Sequence, residues 1–252
     1  TKPVNQKLRN QLENRLNVNI SNLNKTDRII AVSNDVKSIL TKYGVNENLI
    51  HVQHIGSVVA SNTLTHTKKV EQNKIVFGFI GGVSYYKGIH QLVEAFLNLP
   101  KEKNERSELK IFGRYSDTYF NSIKAKFNIE DKNNIHFYGK FSPEDLNDIT
   151  NKIDIAILPS LCADTAPQTI FESFSFGLPI IAPQVGGFPD FIEENVNGLL
   201  YKPGNAEDLS KKMEYILDNQ NLLTSFQNNI PKLKTINENV LELNQMYYKL
   251  VN

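Results

Sequence analysis

At 252 residues, with 28 basic and 27 acidic side chains and a net charge of +1, the chain has room for one large α/β domain, or one domain and part of another. The charge balance argues against a nucleic-acid binder that works by neutralising phosphates. One cysteine excludes a disulfide framework and a Cys-rich zinc site and fits a reducing, cytoplasmic setting, while no apolar run reaches the length of a membrane span and no signal peptide is visible. The chain begins Thr-Lys-Pro without a methionine and enters almost at once on a helical pattern, Leu8, Leu12 and Leu16. That opening is expected of a fragment cut from something longer. A short strand follows at Arg28-Ile29-Ile30-Ala31-Val32. Ser33 or Asn34 then caps a helix whose inner face is Val36, Ile39, Leu40 and Tyr43 and which ends at Gly44. Another strand runs from Ile50 to Gln53, and the polar stretch Ser61 to Asn73 reads as a linker or exposed loop.

From Lys74 the rhythm is regular. Strands are predicted at Ile75–Ile80, Leu109–Phe112, Ile135–Tyr138, Ile153–Leu158, Ile180–Ala182 and Leu199–Tyr201. Helical patterns separate most of them: Ile89, Leu92, Val93 and Phe96; Phe120, Ile123 and Phe127; a helix start at Ser142-Pro143-Glu144-Asp145; and one at Asn205, with Leu209, Met213, Ile216 and Leu217 inward. Strands without strict alternation, each followed by a helix, imply an α/β fold whose parallel sheet is covered on both faces. Such sheets bind ligands outside the carboxyl ends of their strands, so the loops after Ile80, Phe112, Tyr138, Leu158 and Ala182 are where function should sit.

The loop after Leu158 carries the strongest signal. Between Leu158 and Ala182 a buried strand passes through a polar loop into a helix, with Asp164 and Glu172 on either side of the helix start. Pro167 suits the first helical position. The amides of Gln168 and Thr169 then face the crevice unpaired, and a helix N-terminus of this kind favours an anion. Glu172 lies about 7.5 Å further along at ~1.5 Å per residue, roughly the reach from a diphosphate to a ribose. An ordinary crossover with surface acids is the competing reading.

The other loops are ambiguous one by one. Gly81 and Gly82 allow close backbone approach, and Lys87 is either a phosphate contact or a solvated surface lysine. The run is neither a P-loop nor a G-x-G-x-x-G fingerprint. Gly113-Arg114 places a guanidinium at the same rim or forms an exposed turn. Gly139 begins a turn beside which a planar base fits. Gly186 and Gly187 form either a phosphate or sugar cradle or a tight structural turn. Cys162, next to Asp164, reads as a small hydrophobe rather than a reactive thiol. The five histidines, His51, His54, His66, His90 and His136, show no ligand spacing, so no metal is expected. No G-x-S-x-G elbow appears.

Taken in order, GGVSYYKG, IFGR, NIHFYGKFSPEDL, IDIAILPS followed by the D-x7-E pair and FGLPIIAP, and VGGFPDFIEENVNGLL closely resemble the nucleotide-sugar half of the retaining glycosyltransferases of the GT-B fold, family four. The resemblance covers about residues 74–219, and Thr26 to Ser33 is similar to the segment that precedes the domain crossing. It implies the tail of an acceptor domain with its linker at 1–56, a loop at 57–73, a Rossmann-like donor-binding domain at 74–235 and a C-terminal helix at 236–252. It further implies that Lys87 contacts the donor diphosphate, that Glu172 holds the ribose hydroxyls, and that Asp164, one methylene shorter than the usual glutamate, faces the donor sugar. Gln168 and Thr169, following Pro167, present amides to the phosphates, and Gly139 and Lys140 border the base.

Three departures stand out. The family's arginine five residues before the lysine is Gly82 here, and Arg114 is the nearest candidate to compensate. The usual Pro-Asn-Gly at the linker reads His54-Ile55-Gly56. The acceptor-side loop and histidine have no match. The expected activity is transfer of a sugar from a nucleotide diphosphate sugar to a glycan or lipid-linked saccharide with retention of configuration. No cofactor or metal is expected. A missing N-terminal domain is the expected partner, through which the protein associates with the inner face of the membrane, and the isolated fragment should turn over little. Two alternatives stay open: a sugar-nucleotide epimerase of related architecture, and a non-catalytic domain with a decayed donor site.

Overall fold

A computed structural model describes residues 5–61 and 74–252; the greater part of the predicted 57–73 loop, residues 62–73, lies outside them. The N-terminal unit consists of α1 (Gln6–Leu23), β1 (Ile29–Ala31), α2 (Asn34–Lys42) and β2 (Ile50–Val52), with β1 and β2 paired in parallel. Its core is small: Ala31, Val45 and Ile50 are buried, with Ile20, Val36 and Leu40 against them. Ser33 caps α2 by accepting from the Val36 amide, and Gly44 follows the helix with φ +96°. Of the predicted inner face of α2, Ile39 and Tyr43 are exposed. Two short strands cover only one side of a nine-residue helix, so Val36 and Leu40, at i and i+4, take the available contacts. Leu8, Leu12 and Leu16 are exposed along α1.

The larger unit is built on six strands. In chain order its elements are β3 (Ile75–Ile80), α3 (Ile89–Leu97), α4 (Lys101–Glu105), β4 (Ser107–Phe112), α5 (Asp117–Phe127), β5 (Ile135–Gly139), α6 (Leu146–Thr150), β6 (Ile155–Ile157), α7 (Gln168–Ser175), β7 (Ile180–Pro183), β8 (Gly198–Tyr201), α8 (Ala206–Asp218), α9 (Asn221–Asn228) and α10 (Ile236–Val251). All pairings are parallel, in the order β5-β4-β3-β6-β7-β8. Parallel strands need crossovers, and the helices that supply them cover both faces. One face packs Phe77, Ile111 and Ile157 against Leu92 and Phe96 of α3 and Met213 and Ile216 of α8. The other packs Phe112, Ala156 and Ile180 against Ile170 and Phe174 of α7. This is the expected α/β, Rossmann-like sheet. Each fully buried Phe or Ile contributes about 1.5–3 kcal/mol, so the scaffold under the loops is firm.

The helix signals act as their chemistry requires. Ser142 and Asp145 form a reciprocal capping box, and Asn205 caps α8 by accepting from the Asp208 amide. Beyond α9 the chain turns back toward the N-terminal unit. Ser57 donates its amide to the Lys234 carbonyl, and Gln53 Nε2 donates to the Asn239 side chain of α10.

Candidate functional site

The sheet order alone locates the site. The chain leaves β3 to build β4 and β5 on one side, and leaves β6 to build β7 and β8 on the other. A crevice opens where those paths diverge, between the loops that follow β3 and β6. The Leu161 amide donates to the Tyr86 carbonyl at 2.9 Å and ties the two loops together. Gly88 makes the approach feasible: its φ is +70°, and a Cβ there would stand 1.9 Å from the Pro159 carbonyl oxygen. Lys87 is thereby set over the acid loop, with Nζ 3.9 Å from Oδ2 of Asp164, the two side chains being 43% and 35% exposed. A pair this wet is worth ~0.2–1 kcal/mol, so an incoming anion can displace it.

The helix start differs from expectation by one residue. Pro167, with φ −66° and ψ 108°, is the cap rather than the first helical residue, and α7 begins at Gln168. The extended ψ turns the chain into the helix one step later, while the fixed φ still serves. Gln168 and Thr169 keep their place at the N-terminus, and among the described residues their amides find no acceptor. Thr169 and Lys87 line the same small cavity with Gly81, Gly82, Ser160 and Phe188. One turn deeper, Glu172 is half-buried, and loss of solvent raises its carboxyl above the usual range. No cation or donor satisfies that carboxylate among the described residues. A carboxylate held partly dry and unpaired is primed to accept hydroxyl donors.

The acid loop is backed closely. The Gly187 amide donates to the Asp164 carbonyl at 2.7 Å. A Cβ on Gly186 would meet that same oxygen at 2.5 Å, and one on Gly187 the Thr165 oxygen at 2.5 Å. Both glycines thus lie behind the loop. On the opposite rim the strand-end glycines are stitched together: Gly81 donates to Phe112, Gly113 to Gly139, and Val83 to Arg114, all backbone to backbone. The Arg114 side chain is exposed at this rim, as is Lys140, and a Cβ on Gly82 would meet nothing within 4 Å.

Cys162 corrects the small-hydrophobe reading. It is exposed, because the loop satisfies itself through Ser160 Oγ, which accepts from the Cys162 amide and donates to its carbonyl, and leaves the thiol outward. One residue was missed. Tyr138 lies 52% exposed beside Gly139, its ring parallel to that of Phe112 at 4.5 Å and 6°. Strand alternation held the signal: Phe137 packs against Tyr115 and Phe120 on the α3–α5 face, so Tyr138 turns to the face that carries α7. Among the described residues no group of three His, Cys, Asp or Glu side chains is placed to hold a metal ion, and no helix is long and apolar enough to cross a membrane.

A six-stranded parallel sheet with helices on both faces and a crevice at its switch point defines a Rossmann-like domain of the kind that forms one half of a GT-B fold. Residues 61–233 match the family of glycosyl transferases group 1, and the chain belongs to that family. It is 25% identical over 236 residues to an uncharacterised glycosyltransferase of Methanocaldococcus jannaschii, covering 90% of this chain and 60% of that protein. Over 84 residues it is 32% identical to the sulfoquinovosyl transferase of Arabidopsis thaliana, covering 32% of this chain and 16% of that protein. Among solved structures, HepE of Anabaena in complex with UDP superposes with a TM-score of 0.75 at 18% identity, over 92% of this chain and 67% of that one. The chain spans about three fifths of the length of its first curated relative.

Proposed function

We propose that this chain binds a nucleoside diphosphate sugar across the switch point and supplies the donor half of a retaining glycosyl transfer. One observation carries the reading: Lys87 and Asp164 meet beside the first amides of α7, with the half-buried carboxylate of Glu172 one turn deeper, and among the described residues neither those amides nor that carboxylate has a partner. In this reading the diphosphate lies on the Gln168 and Thr169 amides and on Lys87, and Glu172 accepts from the ribose hydroxyls. Asp164 faces the sugar. The base runs toward the far rim, where Gly139 and Lys140 border it and the open face of Tyr138 stacks on it. HepE structures hold UDP and UDP-glucose, which makes a uridine diphosphate sugar the first donor to try.

The chemistry follows from the charge placement. The bond from the anomeric carbon to the phosphate oxygen breaks, a bond to the acceptor oxygen forms on the same face, and the acceptor proton passes to the departing phosphate. Lys87 and the helix N-terminus stabilise the negative charge that develops on that phosphate. The acceptor, a glycan or lipid-linked saccharide, is held by a further N-terminal domain, so the chain alone binds donor and turns over little. The proposed organisation is an acceptor-domain tail at 1–56, a loop at 57–73, the donor domain at 74–235 and a closing helix at 236–252.

Titration calorimetry with uridine, guanosine and adenosine diphosphates tests the reading. One of them should bind, and Glu172→Ala should weaken it about 100-fold, as expected when two ribose hydroxyls lose a charged, half-buried acceptor. No heat from any of them at millimolar concentration would mark a decayed site. NMR of the donor with protein alone should show an unchanged sugar; a new sugar epimer without acceptor would make the protein an epimerase.

A further inference from the structure

The two units meet at a side chain that the donor site does not use. Asp190 ends the 3-10 turn Phe188–Asp190 that follows the glycine pair behind the acid loop. Its carboxylate is only 7% exposed. Oδ2 accepts from the backbone amide of Asn34 at 2.7 Å, the first residue of α2 in the N-terminal unit. A helix N-terminus leaves such amides without an internal partner, and a carboxylate is the acceptor its dipole favours. His54, from the linker, faces both the carboxylate and the segment two residues earlier: its Nδ1 lies 3.7 Å from Oδ2 of Asp190 and 3.2 Å from the Val32 carbonyl, its ring 4.8 Å from Phe191. A carbonyl can only accept, so Nδ1 carries the proton.

From Asp190 an unbroken run of hydrogen bonds leads to the acid loop. The Asp190 amide donates to the Gly187 carbonyl at 3.2 Å, and the Gly187 amide donates to the Asp164 carbonyl at 2.7 Å. The glycines leave no slack, because any side chain at Gly186 or Gly187 would overlap the loop backbone. The path therefore has a single stiff turn between the helix of one unit and the acid of the other. Close-packed elements of this kind shift together rather than deform independently.

We propose that Asp190 is a positioning residue that couples the seating of the N-terminal unit to the position of Asp164. When α2 moves relative to the sheet, the turn moves with it and carries the acid loop. The orientation of the two units then sets how Asp164 presents to a donor. What Asp164 does there rests on the donor-site reading above; the mechanical link does not.

Hydrogen exchange of the ligand-free protein separates the two questions, since no nucleotide is involved. Asp190→Ala removes the acceptor, and Asn34→Pro removes the donor at a first helical position that suits proline, preceded by Ser33 in extended conformation (φ −154°, ψ 163°). Both variants should speed exchange of the Ala166 and Gly187 amides about tenfold, with amides of β3 and β6 unchanged. Asp190→Asn, which keeps an acceptor oxygen, should restore rates near those of the parent. Faster exchange confined to residues 35–37, or none at all, would show an ordinary interface contact and overturn the coupling. Should Asp190→Ala lose protection throughout the sheet, the Asn34→Pro result decides in either direction.

Discussion

Nζ of Lys87 stands 3.9 Å from Oδ2 of Asp164, so the cation proposed for the diphosphate and the acid proposed for the sugar share one place in the crevice. An arriving phosphate must take the lysine from the carboxylate. Removing the competitor should therefore help binding and harm transfer. Asp164→Asn should tighten nucleoside diphosphate affinity about 2- to 5-fold, the worth of a half-exposed ion pair, while lowering sugar transfer by the complete enzyme. Lys87→Ala should weaken diphosphate about tenfold or more and leave the bare nucleoside unchanged. Calorimetry with both ligands reads the difference; equal losses would count against a phosphate contact.

Glu172 predicts a trade between stability and binding. Its carboxyl is raised because burial disfavours the charge. An acid raised in the folded state lets the unfolded chain ionise first, so stability falls as pH rises from the ordinary glutamate range through the folded value. Above that folded value the protein carries the strain in full. Glu172→Gln should raise Tm by about 1–3 °C at pH 7, with the gain fading toward pH 4, and should weaken nucleotide binding. A Tm that drops at pH 7 would contradict an unpaired carboxylate.

Two glycines of one loop should respond in opposite ways. Gly82 has open space where a Cβ would go, while one on Gly88 would strike the Pro159 oxygen at 1.9 Å. Gly82→Arg should fold normally and bind diphosphate more tightly, about 3- to 10-fold, by restoring a charge near the phosphates. Gly88→Ala should destabilise by about 1–3 kcal/mol, visible in urea denaturation, and weaken binding by lifting Lys87 from the acid loop.

Tyr138 offers one face to solvent and gives the other to Phe112. Tyr138→Ala should weaken nucleoside binding about 5- to 50-fold, the range for loss of one stacked base, and Tyr138→Phe should not. Because the diphosphate contacts stay intact, inorganic pyrophosphate should bind both variants alike. A pyrophosphate loss as large as the nucleoside loss would place the base elsewhere.

The elements themselves were legible in the chain because their signals are local. Ser33, Ser142 and Asn205 cap the next few residues whatever surrounds them, and Ile89, Leu92, Val93 and Phe96 share a helical face by periodicity alone. The errors arose where the partner decided the outcome. Ile39 and Tyr43 follow the same spacing as buried residues but face a sheet too small to cover them. Cys162 is exposed because Ser160 closes the loop on itself, which no property of the thiol foretells.

The sequence by itself determined the parallel α/β class and singled out the strand-end loops, with their acids and lysine, as the candidate site. All of these depend on residue type and short spacing. Only the tertiary structure decided that Lys87 reaches Asp164, that Glu172 is half-dry and without a partner among the described residues, and that Asp190 clasps Asn34 across the two units. Those contacts join segments distant in the chain. Sheet order and loop seating bring them together, and these are set by the packing of the whole core, which no local pattern encodes.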